Sequence, residues 1–207
     1  MAAVSLKKKI GFRLPTKLLE DAVAAGGAGT RLLAVQDDAY RACWIELPGL
    51  NVTQFALKAD GAPLPKALKP DFEAAVRTAA GAIHLLGSGS TRQRTVIARI
   101  DLARESAVLA DMPQIYDCVQ RTLDLARGPN IEGAIVDGDV LRLFHRGIAT
   151  ASATIDLPLG VLEGEPPRVL DWRWIQLERL EGVPLSVTDA AMVGRQRALF
   201  LAVAEDT

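Results

Sequence analysis

The chain of 207 residues is predicted to be all-β: an incomplete β-propeller of about three and a half four-stranded blades, with one rim helix near 113–126. Three observations lead to this reading. A short unit, clearest in Asn130–Gly147 (NIEGAIVDGDVLRLFHRG), opens on an acid, runs through small and apolar residues, turns at Asp137-Gly138-Asp139 and closes on an apolar run. Related units open at Asp21, Glu73 and Asp189, so the four acids stand 52, 59 and 57 residues apart. A period of that length marks an array, solenoid or propeller. Within each unit, short alternating apolar runs are bounded by Gly, Asp and Pro, the pattern of half-buried strands.

In chain order, residues 1–17 form a basic, apolar lead-in in which Lys9–Leu14 can add a strand to a sheet edge. The first unit offers strands at Asp21–Ala25, Arg31–Val35, Tyr40–Leu47 and Asn51–Lys58. A loop with Pro63, Pro65 and Pro70 leads to the second, with strands at Phe72–Arg77, Ala82–Leu86, Thr95–Leu102 and Ser106–Leu109. Ile115, Cys118, Val119, Thr122, Leu123 and Ala126 then recur at helical spacing, with Pro113 suited to a first turn and Gly128-Pro129 to a stop. Packing on apolar strand faces is the plain role for this helix, and partner binding the sharper one. The third unit gives Ile131–Val136, Val140–His145, Ala151–Leu157 and Val169–Gln176. Its last strand puts Trp172 and Trp174 on one side, either as a packing layer between blades or as an exposed aromatic platform. The fourth gives Leu185–Val193 and Ala198–Val203 before the chain ends at Thr207. The blades span about 18–58, 70–111, 130–178 and 183–207 of a single domain. Val76, Leu85, Ile97, Ile135, Leu141, Leu143, Ile155, Trp174 and Leu199 occupy alternating apolar positions and are expected to be buried between blades.

A β-sandwich explains the strands but not the repeated opening of each unit. Rings need four to eight blades, so three and a half leave open edges, which recruit other chains. The expectation is a shortened ring. Capping by Lys9–Leu14 and edge-to-edge pairing of two copies are its alternatives.

Composition narrows the function. Hydrophobic residues make up 49% and the formal net charge is −1, which argues against disorder and against a nucleic-acid surface. No apolar run approaches the roughly 18 residues of a membrane span, and Lys7-Lys8-Lys9 precedes no signal-type apolar core. The chain is therefore read as cytoplasmic, without membrane or nucleic-acid partners. Cys43 and Cys118 read as buried thiols, and two histidines are too few for a histidine-rich metal site.

Blade geometry places the start of each inner strand and the end of the next on one face. Asp21, Glu73, Glu132 and Asp189 then gather there, with Asp71 on the side of Glu73 and Asn130 on the side of Glu132. Carboxylates around one axis repel unless water, a proton or a cation relieves them. Oxygen ligands of this kind suit calcium, and Asp21, Glu73, Asn130, Glu132 and Asp189 are the candidate ligands. Solvated acids that bond to neighbouring backbone are the plain alternative. The loop Gly87–Arg94 (GSGSTRQR) offers Ser88, Ser90 and Arg92, with Arg94, for an anion, or it is a flexible turn. His145 and Arg146 can act as acid–base and anion clamp.

Several stretches carry a resemblance: KPDFEA (69–74), LLGSGST (85–91), NIEGAIVDGDVLRLFHRG (130–147), GVPLSVTDAAMV (182–193) and AVAEDT (202–207). In this order they resemble a bacterial family of uncharacterised propeller-like proteins, a domain of unknown function distantly similar to esterase-like and phytase-like propellers. The match runs from about residue 30. The loop after Arg146-Gly147 is shorter than the family pattern, which weakens a ligand role for it, and the chain ends where the family continues. The resemblance implies a propeller and no established activity.

Two functions stand open. One is a metal-supported hydrolase of an ester, lactone or phosphoester at the channel mouth, which requires Glu73, Glu132 and Asp189 to converge on one point. The other is a non-catalytic module that binds a small molecule or a protein, which allows the acids to be scattered.

Overall fold

A computed structural model describes residues 31–36, 39–47, 49–58, 64–147, 151–193 and 197–204. Among them the chain is mostly β: fourteen strands in four antiparallel sheets of three or four strands, and one short α-helix. The strands expected at Lys9–Leu14 and Asp21–Ala25, and Asp21 itself, lie outside the described residues.

Each sheet is built from consecutive strands. The first holds β1 (Arg31–Val35), β2 (Arg41–Glu46) and β3 (Asn51–Ala56). The second holds β4 (Phe72–Arg77), β5 (Ile83–Gly87), β6 (Val96–Asp101) and β7 (Ser106–Asp111). The third holds β8 (Ile131–Asp137), β9 (Val140–His145), β10 (Ser152–Pro158) and β11 (Asp171–Ile175). The fourth holds β12 (Arg179–Leu180), β13 (Val183–Met192) and β14 (Ala198–Ala204). β12 was not anticipated: two residues carry no alternation to read. The helix α1 spans Pro113–Thr122, one turn shorter than expected. Asp124 takes a positive φ of 51°, and Gln120 Nε2 donates to the Leu125 carbonyl, so the chain turns away before Ala126.

Alternation in the central sheets gives each of them two apolar faces. On β5 and β6, Leu85, Ala98 and Ile100 face the first sheet, where Ala42 and Leu57 meet them. Leu86 and Ile97, with Ala74 and Val76 of β4, face the third sheet and meet Ala134, Leu141, Leu143, Ala153, Ile155 and Leu157. The opposite face of the third sheet sends Ile135 and Phe144 onto Val187 and Ala190 of β13. The helix closes the core between the second and third sheets with Ile115, Tyr116, Val119 and Leu123. Burying each large side chain of this kind stabilises the fold by roughly 1.5–3 kcal/mol. Cys43 and Cys118 are buried free thiols.

Of the nine residues expected in the core, seven are buried, among them Leu141, Leu143 and Ile155 with no exposed surface. Trp174 and Leu199 are not: they are 45% and 59% exposed. Trp174 shares the face of buried Ala153 and Ile155, whereas Leu199 pairs with exposed Ala191 on the face turned away from the third sheet. Trp174 is on β11, the outermost strand of its sheet, and Leu199 is on β14, the last strand of the fourth sheet among the described residues. Phase assigns a face, and a neighbouring layer must still cover it.

Strands of successive sheets lie side by side, β4 against β8 and β8 against β13, the first two opening their sheets and the last the middle strand of its own. Gly133 permits the second approach, since a Cβ there would come within 2.8 Å of the Ala190 backbone nitrogen. No helix among the described residues is long and apolar enough to cross a membrane.

Candidate functional site

The ends of these adjacent strands carry the polar groups. Each strand has a β-bulge, an extra residue that re-aims a side chain, at the start of β4 and of β8 and midway along β13. Pairing slips between Phe72 and Ala74, between Ile131 and Gly133, and between Val187 and Asp189. The bulged residues are therefore Glu73, Glu132 and Thr188. Asp189 is one position farther on, exposed, with its Oδ1 accepting the N–H of Ala190 at 2.7 Å. Counting from the apolar residue before each bulge, the repeating triplets are Asp71-Phe72-Glu73, Asn130-Ile131-Glu132 and Ser186-Val187-Thr188.

The centre of the site is Asp71, a residue the sequence placed beside Glu73 but not among the candidate ligands. It is buried and held at a φ of 55°. Lys69 Nζ is 2.5 Å from its Oδ1, and Arg94 Nη1 is 2.9 Å from its Oδ2. Ser88, with no exposed surface, donates its hydroxyl to Oδ2 at 2.6 Å. Burial alone raises a carboxyl pKa, but Lys69, Ser88 and Arg94 together outweigh it and hold Asp71 below the ordinary value.

The loop after β5 is tied down, contrary to the flexible turn it could have been. Ser88 and Ser90 hydroxyls are 2.9 Å apart, and Arg94 Nη1 donates to Ser90 Oγ at 2.8 Å. Gly89 has a φ of 72° and is pressed against the Tyr116 ring. The Tyr116 hydroxyl, fully enclosed, donates to the Gly87 carbonyl at 2.8 Å. Burial drives its pKa far above the usual range. Arg92 does not join the cluster: it is turned outward to Thr95 and Asp111. Arg94, two residues on, takes the inward position.

The second centre is Glu132. Asn130 Nδ2 donates to its Oε1 at 2.7 Å, as the shared side of the two residues implied, and Arg146 Nη1 is 3.4 Å from the same oxygen. Arg146 Nε also reaches Ser186 Oγ at 3.2 Å, so one guanidinium joins the third and fourth sheets. Burial raises the Glu132 pKa above the usual value, with the Asp71 charge adding to it, against the downward pull of Arg146 and Asn130. His145 is buried, and its Nδ1 accepts the backbone N–H of Asn130 at 3.0 Å. Burial lowers its pKa, so it is neutral near pH 7 and holds the strand ends instead of facing solvent.

Among the described residues, no three His, Cys, Asp or Glu side chains gather in a way that could hold a metal ion. Glu73, Glu132 and Asp189 do not converge on one point. The structure assembles instead Asp71 and Glu132 with Lys69, Arg94 and Arg146 as counter-charges. The repeated triplet polar–apolar–polar was the readable signal for Asp71 and Ser186. The inward turn of Arg94 had none.

Neither the curated proteins nor the solved structures contain a match to the chain. A family model matches residues 22–207. That span takes in all four sheets and every residue of the polar cluster, and the chain belongs to the family of unknown function DUF6929.

Proposed function

We propose that the four sheets are blades of a β-propeller and that the chain is a non-catalytic binding module. Its ligand site is the polar mouth at the starts of β4 and β8 and beside the bulge of β13. The propeller reading is supported by sheets packed face to face in series, by β4, β8 and β13 lying side by side, and by a bulge in each of these three strands.

One observation carries the binding reading over the hydrolase: the groups that catalysis would use are committed to one another. A nucleophile needs an accessible base with free basicity. Asp71, the base that Ser88 would use, is held acidic by two cations, Ser88 itself is enclosed, and the His145 Nδ1 lone pair is occupied. Ser90, Arg94, Glu132 and Arg146 retain partial exposure. They present donors and acceptors of both signs, suited to a small polar ligand.

Thermal melts with phosphate, acetate, glycine and calcium chloride test this. Saturable stabilisation by one of the first three, lost in Glu132→Gln or Arg146→Gln, is the expected result. Saturable calcium binding lost in Glu132→Gln would restore the metal site. Turnover of a simple ester or phosphoester that disappears in Ser88→Ala and Asp71→Asn would establish the hydrolase.

A further inference from the structure

The fourth sheet stops short of its neighbours, and the strands it lacks leave part of the third sheet uncovered. Beyond its bulge, β13 pairs with β14 as β4 pairs with β5 and β8 with β9: a bulged strand, antiparallel to the next strand in the chain. In the second and third sheets two more strands follow, and after β14 none does among the described residues. Like strands stack on like where the second sheet meets the third: Ile97 of β6 shares a core cluster with Ala153 and Ile155 of β10. The vacant position beside β14 therefore falls over the opposite face of β10.

That face is polar. Arg142 is opposite Ile135, which packs on the fourth sheet, so the two share a side, and Asp156 and Asp171 continue it across β10 and β11. Thr154 and Arg173 share the same side with Phe144. Arg142 grips Asp156 through both carboxylate oxygens at 2.7 and 2.6 Å, and Arg173 holds Asp171 Oδ2 at 3.1 and 3.0 Å. These five side chains line a cavity of about 130 Å³, which Trp172 also borders. β14 presents the other half. Its seven residues, ALFLAVA, include no polar side chain, whereas β3, β7 and β11, the last strands of the other sheets, all carry polar or charged ones. Leu199 and Leu201, on the face turned away from the third sheet, are 59% and 56% exposed. An apolar strand with an unpaired edge is a template for a further strand.

We propose that β14 takes up an extended peptide of another protein as the third strand of its sheet. Main-chain hydrogen bonds to the open edge supply affinity, and side chains at alternate positions supply selectivity. Those turned inward meet the cavity. Its two aspartates and two arginines sum to zero charge and already hold one another. A neutral hydroxyl or amide side chain, which both donates and accepts, fits there, and a charged one does not. Side chains turned outward lie beside Leu199 and Leu201 and are aliphatic. The partner is thus a strand in which neutral polar residues alternate with branched apolar ones. A second copy of β14 does not meet this description. Both faces of that strand are apolar, so either would turn hydrocarbon onto the charged pairs. The inference rests on strand order and on this face of the third sheet, and it stands apart from the ligand reading of the mouth.

The full chain titrated with a fluorescein-labelled peptide of four Thr-Val repeats, followed by anisotropy and by amide hydrogen exchange, tests the proposal. Saturable binding is expected, with exchange slowed in β14 and unchanged in β3, β7 and β11. Leu199→Lys and Leu201→Lys together should weaken binding about ten-fold, the loss of two apolar cross-strand pairs. The double variant should melt like wild type because both side chains are largely exposed, which separates lost binding from lost folding. Two control peptides need only the wild-type chain. One has the same composition in two blocks, all threonines and then all valines, and the other has proline at every second position and so lacks half the donors. Neither should bind. Absence of saturation by the alternating peptide overturns the proposal, as does equal binding of either control or slowed exchange at another sheet edge. Exchange in β14 that slows with rising protein concentration, without peptide, overturns it in favour of a second copy.

Discussion

Replacing Asp71 by Asn removes one charge and almost nothing else. The side chains are isosteric. Asn tolerates the left-handed region that Asp71 occupies at a φ of 55°, and an amide oxygen can still accept the Ser88 hydroxyl. What changes is the company of Lys69, 2.5 Å away, and Arg94, 2.9 Å away, both largely shielded from water. Breaking a buried ion pair by deleting one partner costs about 3–5 kcal/mol, because the other charge stays desolvated. Lys69 and Arg94 keep 15% and 17% of their side-chain surface, so they rehydrate in part. Glu132 also gains when the Asp71 charge that raises its pKa is removed. Both corrections point to the lower end, about 3 kcal/mol. The assay is urea unfolding at neutral pH, with the denaturant slope unchanged so that the midpoint shift is a stability difference. The pH dependence supplies a second check. Asp71 has a depressed folded pKa, so its ionised contribution is present above the unfolded value of about 3.9 and is lost as pH falls through the folded one. The gap between wild type and Asp71→Asn should therefore be constant near neutrality and close in acid. A gap below about 1 kcal/mol, or one that persists unchanged into acid, would refute a buried carboxylate bridging two cations.

Two further outcomes follow from the same region and from the second sheet. Gly89→Ala should destabilise the fold by about 2–4 kcal/mol in urea. It adds a Cβ at positive φ, about 1–2 kcal/mol, and forces that atom into the Tyr116 ring; a loss under about 0.5 kcal/mol, typical of an unconstrained surface site, would show the loop is not seated there. His84, fully buried, has no hydrogen-bond partner at either ring nitrogen, with Glu163 Oε1 3.4 Å from Nε2 outside hydrogen-bonding geometry and Arg99 on the adjacent strand. Burial depresses its pKa, so the unfolded chain takes up a proton that the fold resists, and stability should decline as pH falls below about 6.5. His84→Leu should remove part of that decline, with His145 accounting for the rest; an identical slope in the variant would show that His84 protonates freely.

The strands were legible where two local signals agreed. Phe72–Arg77 and Val140–His145 match residue for residue, because alternation and flanking turn residues both mark their ends. β12 escaped because two residues show no period, and α1 ended early because the turn through Asp124 depends on a backbone conformation that apolar spacing does not encode. Burial was legible only for strands with a layer on each side. Ile155 and Trp172 face each other across a strand pair, yet one is enclosed and the other is open. The difference is position across the sheet, which the chain's own periodicity cannot express.

The acidic site was legible only at a coarser level than its side chains. The repeated opening of each unit, an acid followed by small and apolar residues, places Asp189 in line with Glu73 and Glu132, and that alignment made a calcium-like ring plausible. A bulge adds one residue to one strand and shifts every side chain beyond it to the other face, so the residue matching Glu73 and Glu132 in β13 is Thr188, a hydroxyl and not a carboxylate. The counter-charges were equally hidden, since Lys69 and Arg94 reach Asp71 from a loop on one side and a 3₁₀ turn on the other, 25 residues apart in sequence. Repulsion between Asp71 and Glu132 is thus met by guanidinium and ammonium groups that the fold itself delivers. An arginine that also bonds across to the next sheet, as Arg146 does to Ser186, does more than a bound ion would: it neutralises the carboxylate and fixes the distance between neighbouring sheets. The cost is that the acids are no longer free bases, and it is on that ground that we propose a mouth that holds a ligand and does not transform one.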